Sequence, residues 1–193
     1  MSFHSTQFTV LLDACVLYPA PLRDLLMRLT LSGLFRAKWT DQIHEEWIRN
    51  LLTNRPDIQR EQLERTKTLM NNSVLDCLVS GHEFLIESIA IPDANDRHVV
   101  AAAIRGQADL IVTFNLKDFP SDTLVQYDLE AKHPDDFLCE QFDLQGAKVI
   151  QTVAEHRAAL KNPQKTQDEY LNTLLGIGLT QTVEMLNRWK HAF

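Results

Sequence analysis

The apolar residues of this chain occur as short continuous runs that alternate with stripes at helical spacing. Residues 8–13 form an apolar run that ends at an acid, Asp13, and this pattern predicts a buried strand. Pro19 and Pro21 then mark a turn, and leucines recur at helical spacing over residues 22–34. The first unit is therefore a predicted strand followed by a helix.

Two further helices are predicted in the next stretch of sequence. Thr40 or Asp41 is suited to cap a helix that extends to about residue 52, and Pro56 prevents its continuation. Residues 58–78 carry charged and apolar side chains at a spacing that predicts an amphipathic helix.

The pattern then returns to strands. Residues 84–91 are predicted to form one strand, and residues 110–114 a shorter one. Between them, Asp93 is suited to cap a helix that ends at about Arg105, before Gly106. The order of strand, helices, strand, helix and strand predicts a parallel sheet with right-handed crossovers.

Beyond about residue 143 the pattern is purely helical. Helices are predicted over residues 147–160, 170–175 and 179–193, and residues 166–169 form a capping box before the second of them. We interpret this stretch as a helical appendage. Its apolar stripe could pack on the preceding domain, or equally serve dimerisation or receive a segment of a partner.

Length and cysteine content narrow the class of protein. The chain has 193 residues, of which 45% are apolar, enough for one substantial domain with a real core. Cys15, Cys77 and Cys139 are far apart, which argues against a disulfide framework or a structural zinc site. Neither a leader peptide nor a run of about 18 apolar residues is evident. We therefore expect a soluble, cytoplasmic protein that does not contact a membrane.

The acidic balance argues against simple nucleic-acid binding. A net charge of −7 and a pI near 5.4 oppose phosphate binding, which is largely electrostatic. A carboxylate site that holds divalent cations would account for part of that charge, and basic side chains could still line a groove.

Acidic side chains follow the predicted strands where those strands end. Asp13 follows the first strand, and residues 113–118 follow the third. Asp96 lies in the first turn of the helix capped by Asp93, and Glu45 or Glu46 comes from the helix after Trp39. Ligands of open parallel sheets bind outside the carboxyl ends of the strands. Because Mg²⁺ prefers carboxylate oxygens and water, this pattern suggests metal-assisted phosphoester hydrolysis.

Each acid also has a purely structural interpretation. Asp13 and Asp118 could cap turns, and capping is the preferred role of Asp93. Helical periodicity does not choose between Glu45 and Glu46, because they lie on opposite edges of one apolar stripe. No spaced histidine pair for zinc, no phosphate-cradling glycine loop and no second aspartate of a haloacid-dehalogenase-like phosphatase occurs.

Four motifs in order give the chain a resemblance to a known family. Residues 11–17, the Glu46-Trp47 pair, residues 96–103 and residues 112–119 together resemble PIN-domain ribonucleases, and within them the VapC-like toxins of bacterial toxin–antitoxin pairs. The resemblance covers roughly residues 8–142, and residues 133–138 are similar to the end of that domain in one branch of the family.

The resemblance implies a fold and a domain organisation. The expected fold is a PIN-like three-layer α/β/α arrangement with a central parallel sheet of four to five strands, plus a C-terminal helical appendage. Residues 1–142 are the predicted nuclease domain, and residues 143–193 are the predicted extension.

The resemblance also implies the chemistry and the residues that perform it. The expected activity is Mg²⁺- or Mn²⁺-dependent endoribonucleolytic cleavage, in a homodimer held inactive by an antitoxin. The carried-over residues are the acids Asp13, Glu46, Asp96 and Asp118, with Thr113 and Asn115 as supporting polar groups. Within this set we expect Asp13, Asp96 and Asp118 to hold metal, and among nearby basic residues we expect Arg97 or Lys117 to contact phosphate. The family often has an acid where Asn115 stands, so the fourth acidic role is open between Asn115 and Asp118.

Two other functions are compatible with the sequence. A PIN-like module that binds RNA or protein without cleaving would suit the acidic pI and Asn115. A nuclease that cuts DNA is also possible, because phosphodiester chemistry does not distinguish the sugars. The RNA target, the cut site and the number of metal ions do not follow from the sequence.

Overall fold

The centre of the fold is a parallel sheet of four strands, seen in a computed structural model that describes residues 8–193. The strand order is β2-β1-β3-β4, and all three neighbouring pairs are parallel. The strands are β1 Thr9–Leu12, β2 Arg36–Lys38, β3 Leu110–Val112 and β4 Glu130–Lys132. Every residue of β1 and β3 is buried, as continuous apolar runs in a covered parallel sheet should be.

Helices flank the sheet and complete the α/β/α arrangement, which confirms the predicted fold class. The α-helices of the described chain are α1 Ala14–Leu17, α2 Ala20–Leu31, α3 Asp41–Asn54, α4 Arg60–Ser73, α5 Arg97–Arg105, α6 Ser121–Leu124, α7 Pro134–Ala159, α8 Gln167–Leu175 and α9 Thr180–Asn187. Helix α5 packs against β1 and β3. Its residues Ala101, Ala102 and Ala103 are completely buried, and their small side chains allow α5 to lie close to the strands.

The predicted strand over residues 84–91 is wrong. The chain instead forms a 3-10 helix over Glu83–Ser88, and Phe84 is 76% exposed. Only Ile89 and Ile91 at the end of this stretch are buried, so its apolar residues do not form a sheet face. The edge strands β2 and β4 were not predicted, because three-residue segments with charged ends carry almost no periodic signal.

A buried polar network fixes α3 and α4 against the end of β2. Nε1 of Trp39 donates to Oδ1 of Asn71 at 2.7 Å, and Nε2 of His44 lies 2.9 Å from the same oxygen. Nε1 of Trp47 donates to Nδ1 of His44 at 3.0 Å, which places the imidazole proton on Nε2. Thr40 accepts from the backbone N–H of Ile43 and caps α3.

The C-terminal helices are joined to the rest of the chain by α7. Gln145 interrupts this helix with a non-helical backbone conformation, three residues after the predicted domain boundary at 142. The buried carboxylate of Asp135 accepts from the backbone N–H groups of Gln181 and Thr182, both at 2.8 Å, and so caps α9 from outside. The capping box of Thr166 and Glu169 is confirmed. The boundary between residues 142 and 143 stays a prediction. The first seven residues of the predicted nuclease domain lie outside the described part of the chain.

No helix among residues 8–193 is both long and apolar enough to cross a membrane.

Candidate active site

Asp13 lies at the carboxyl end of β1 in a buried hydrogen-bond network. Its Oδ1 accepts from the backbone N–H of Ala14 at 2.6 Å, which caps α1. Its Oδ2 accepts from Oγ1 of Thr113 at 2.8 Å and from Sγ of Cys15 at 3.0 Å. Since Thr113 directly follows β3, the contact joins the ends of two neighbouring parallel strands. The carboxylate is only 5% exposed and has a fixed orientation.

Three more carboxylates approach Asp13 from two other elements and form, with it, an acidic cluster of Asp13, Asp93, Asp96 and Asp118. Asp93 caps a 3-10 helix, Ala94–Asp96, whose last residue precedes α5, and Asp118 ends a 3-10 helix, Leu116–Asp118. Burial and, after it, the negative charges of Asp13, Asp93 and Asp118 together raise the pKa of Asp96 to about 6. The fold thus holds these acids together against their repulsion.

Glu46 and Glu45, which the sequence left undecided, have different surroundings. Oε1 of Glu46 lies 2.9 Å from Nε2 of His98, a buried residue two positions after Asp96. Glu45 instead pairs with Arg60 of α4, which lowers the pKa of its carboxyl. Its side chain is 49% exposed, against 21% for Glu46. The structure therefore directs Glu46 toward the element that carries Asp96 and Glu45 toward the surface of α4.

The predicted polar groups differ in how they reach the cluster. Thr113 is completely buried and bonds directly to Asp13. Asn115 takes part through its backbone, whose N–H donates to Oγ1 of Thr113 at 3.0 Å, while its side chain lies on the exposed surface. Lys117 is exposed next to Asp118. Arg97 is half-buried, and its Nε has no hydrogen-bond partner within residues 8–193.

The donor set of the acidic cluster fits a hard divalent cation held partly through water. Within the described chain, no group of three or more carboxylate, imidazole or thiol side chains is placed to hold a metal ion directly. Mg²⁺ does not need such a cage, since it keeps several waters and takes one or two carboxylates directly. The pKa of Asp96 is raised by burial and by the charges of Asp13, Asp93 and Asp118, and a cation would neutralise those charges. Asp13, Asp96 and Asp118 are the residues that would hold it.

Three features of the site were not found by sequence reasoning. Asp93 was predicted only as a cap, which is confirmed, but it also adds charge to the cluster. His98 was assigned no role, although its position in the first turn of α5 was a usable signal. Cys15 was taken as an ordinary thiol. It bonds to Asp13 and accepts from the backbone N–H of Phe114, and burial raises the pKa of its thiol, so it is an unreactive part of the network.

Comparisons with known proteins bear on both parts of the chain. The family model described as PIN domain matches residues 9–117, and the one described as VapC50 C-terminal domain matches residues 134–188. A curated relative from Mycobacterium tuberculosis (strain ATCC 25618 / H37Rv), named "Putative ribonuclease VapC50", is 61% identical over 49 residues. That match covers 25% of this chain and 29% of the relative. Comparison with solved structures finds no match.

The matched residues agree with the structure just described. The PIN domain match begins at Thr9, the first residue of β1, and ends at Lys117, so it includes the sheet strands β1 to β3 and all acids of the cluster except Asp118. It covers more than half of the 193 residues. The chain therefore belongs to the PIN-domain family.

Proposed function

We propose that this protein is a metal-dependent endoribonuclease and the toxin of a toxin–antitoxin pair. The observation that carries the proposal is the acidic cluster, which a PIN-domain chain gathers from three separate elements at the carboxyl ends of its parallel strands. The name of the mycobacterial relative supports ribonuclease activity, and the toxin assignment comes from the resemblance to VapC-like toxins. The proposed setting is the bacterial cytoplasm, with an antitoxin partner and a homodimeric assembly.

The proposed cofactor is Mg²⁺ or Mn²⁺, held by Asp13, Asp96 and Asp118. When bound, such an ion activates water and neutralises charge on the scissile phosphate. The chain's own contribution is orientation. Thr113 and the N–H of Ala14 fix both oxygens of Asp13, so this carboxylate needs little reorganisation when substrate binds.

Phosphate contacts are proposed for two basic residues near the cluster. Arg97 directly follows Asp96, and its buried Nε has no hydrogen-bond partner within residues 8–193. Lys117 directly precedes Asp118 and has no ion pair within residues 8–193. Both would offset the repulsion between an RNA backbone and the acidic cluster. We propose Asp118, whose charge acts on Asp96, as the fourth acid in place of Asn115, whose side chain is exposed.

The test is cleavage of mixed tRNA and rRNA by purified protein freed of any antitoxin, with Mg²⁺, Mn²⁺ or EDTA. Discrete cuts that require metal and disappear in the Asp13→Asn/Asp96→Asn double variant are expected. Asp118→Asn should lower the cleavage rate at least about 10-fold, and Asn115→Ala should leave it within about 3-fold of wild type. The matched control is Glu45→Gln, an acid of the same helix as Glu46 that pairs with Arg60.

The alternatives are separate outcomes of the same experiment. A DNA strand of identical sequence that is cut as fast as the RNA would replace the ribonuclease by a general nuclease. If wild type and double variant leave RNA intact in every metal while both bind it, the non-catalytic binding module is the correct function.

A further inference from the structure

We infer that His98 is a positioning residue that holds Glu46 as the acid completing the site, and that Glu45 has no part in it. This inference rests on the proposed function and adds to it a residue outside the carried-over set. Its basis is a contact between α3, which carries Glu46, and α5, which directly follows Asp96.

The imidazole of His98 is enclosed by protein. Its side chain is 3% exposed, and Nε2 lies 2.9 Å from Oε1 of Glu46. Neither ring nitrogen makes a well-directed hydrogen bond within residues 8–193, and the 2.9 Å approach to Glu46 is the polar contact that Nε2 has. A buried imidazole that touches only a carboxylate has that carboxylate as its polar partner, and the attraction requires a proton on Nε2.

The carboxylate of Glu46 is held from two directions at one oxygen. Oε1 faces Nε2 of His98 and also accepts from Nε2 of Gln42, one helical turn earlier, at 3.3 Å. Oε2 has no protein partner in the described chain, so it is the oxygen left for water or an ion. The contact fixes the direction of Glu46 without using its whole coordinating capacity.

The location of His98 relates this contact to the acidic cluster. His98 lies in the first turn of α5, two residues after Asp96, which is the N-cap residue of that helix. Any shift of α3 relative to α5 would therefore change the separation of Glu46 from Asp96, and the contact with His98 limits that shift. Glu45, one residue earlier, extends to Arg60 on α4 and is not restrained in this way.

His156 provides a matched control for the chemistry of the contact. Its side chain is 1% exposed, and its Nε2 lies 3.0 Å from a carboxylate oxygen of Asp24, far from Asp96 in sequence. His156→Gln therefore removes the same kind of imidazole from the same kind of contact but from another part of the molecule.

The first test does not depend on activity and uses the metal-free full-length protein. We would record ¹⁵N–¹H spectra of the histidine imidazoles and assign the His98 signal by its loss in His98→Gln. Glu46→Gln should shift that signal, whereas Glu45→Gln should leave it unchanged. An unshifted signal in Glu46→Gln, or an equal shift in Glu45→Gln, would overturn the inference whether or not the protein cuts RNA.

The second test measures kcat and KM for RNA cleavage in folded variants. His98→Leu should lower kcat about 10- to 100-fold with KM within about 3-fold of wild type, as expected for loss of a group that orients another. His98→Gln keeps a donor near the position of Nε2 and should recover most of that loss. The His98→Leu/Glu46→Gln double variant should be no slower than Glu46→Gln alone, because both substitutions act through the carboxylate of Glu46.

The controls separate failure of the inference from failure of the proposed function. Glu45→Gln and His156→Gln should retain the wild-type kcat. Wild-type kcat in folded His98→Leu, or a double variant slower by the product of the single effects, would overturn the positioning role. If the wild-type protein cuts no RNA, the ribonuclease proposal fails, and the imidazole spectra then decide alone whether His98 holds Glu46.

Discussion

Among residues 8–193, two buried histidines have a carboxylate oxygen within 3.0 Å of Nε2, and their surroundings have opposite electrostatic character. His98 contacts Glu46 beside the acidic cluster, where the pKa of Asp96 is raised. His156 contacts Asp24 of α2, where the pKa of Asp24 is lowered by its bond to His156 and further by Arg28. The surroundings of His98 therefore disfavour the ionised form of a neighbouring carboxyl, Asp96, whereas the surroundings of His156 favour the ionised form of Asp24.

The second region is a contact surface between α2 and the C-terminal helices, which we call the α2 seam. It consists of Asp24 and Arg28 of α2, His156 of α7 and Tyr170 of α8. Nδ1 of His156 lies 2.9 Å from the hydroxyl of Tyr170, so one imidazole joins three helices. A cavity of about 560 Å³ adjoins this surface, lined also by side chains of α4.

The comparison indicates what each region contributes. The α2 seam matches each charge with a partner, which is the arrangement that stabilises a fold. In the acidic cluster, burial and the charges of Asp13, Asp93 and Asp118 raise the pKa of Asp96, and the opposing effect of His98 is smaller. Such an arrangement costs stability and is typical of functional sites. Substitutions in the two regions should therefore have opposite effects on activity and stability.

The largest expected effect is on cleavage by Asp96→Asn. This change removes one negative charge from the acidic cluster, and we expect the cleavage rate to fall at least about 100-fold. The thermal midpoint of the metal-free variant should equal or exceed that of wild type, because the repulsion is relieved. The cleavage rate and the thermal midpoint should be measured on the same preparation. A fall in both would contradict the proposed contrast between the two regions.

The next effect is a loss of stability in Asp24→Ala. This change leaves Nε2 of the buried His156 without its carboxylate, and we expect the free energy of unfolding to fall by about 1 kcal/mol. The rate of RNA cleavage per folded molecule should stay at the wild-type value. Urea unfolding and a cleavage assay on the same preparation check both statements. A large loss of cleavage would mean that the α2 seam contributes to the active site.

The stability difference between wild type and Asp24→Ala should depend on pH. The folded-state pKa of Asp24 lies below its ordinary value of 3.8, so its ionised form stabilises the fold above that value. This contribution is lost as the pH falls through the lowered pKa and the carboxyl becomes protonated. The two unfolding midpoints should therefore converge as the pH is lowered from about 6 to about 3. A difference between the two unfolding midpoints that grows on acidification would mean that the pKa of Asp24 is raised, not lowered, in the folded protein.

The smallest expected effect belongs to Glu45→Gln. Its pair with Arg60 is half-exposed on both sides, and exposed pairs contribute about 0–1 kcal/mol. We expect a change in stability within about 0.5 kcal/mol and no change in cleavage rate. Loss of cleavage in this variant would mean that Glu45 is the acid of the site.

An element of the fold was predictable from the sequence where its residues carry a local pattern. The buried strands β1 and β3 and the cap at Asp93 have local patterns, and both strands and the cap were found. The edge strands β2 and β4 depend on pairing with distant residues and were missed.

The site was predictable only in its residue types. The acids at the strand ends could be named because parallel strands end at one edge. Helical periodicity could not choose between Glu46 and Glu45, and only the resemblance favoured Glu46, because the choice depends on which helix lies opposite each side chain. The contact of Glu46 with His98 spans 52 positions and leaves no periodic trace in the sequence.

The central claim is that the acidic cluster is held together against repulsion in order to bind a divalent cation. The most direct measurement is the thermal midpoint of wild type and Asp96→Asn in EDTA and during titration with Mg²⁺. The thermal midpoint of wild type should rise by roughly 5–10 °C when the Mg²⁺ concentration is about 100 times its dissociation constant. Asp96→Asn should start at or above the wild-type value in EDTA and show little rise. Equal responses of the two proteins, or no response of wild type, would contradict the claim.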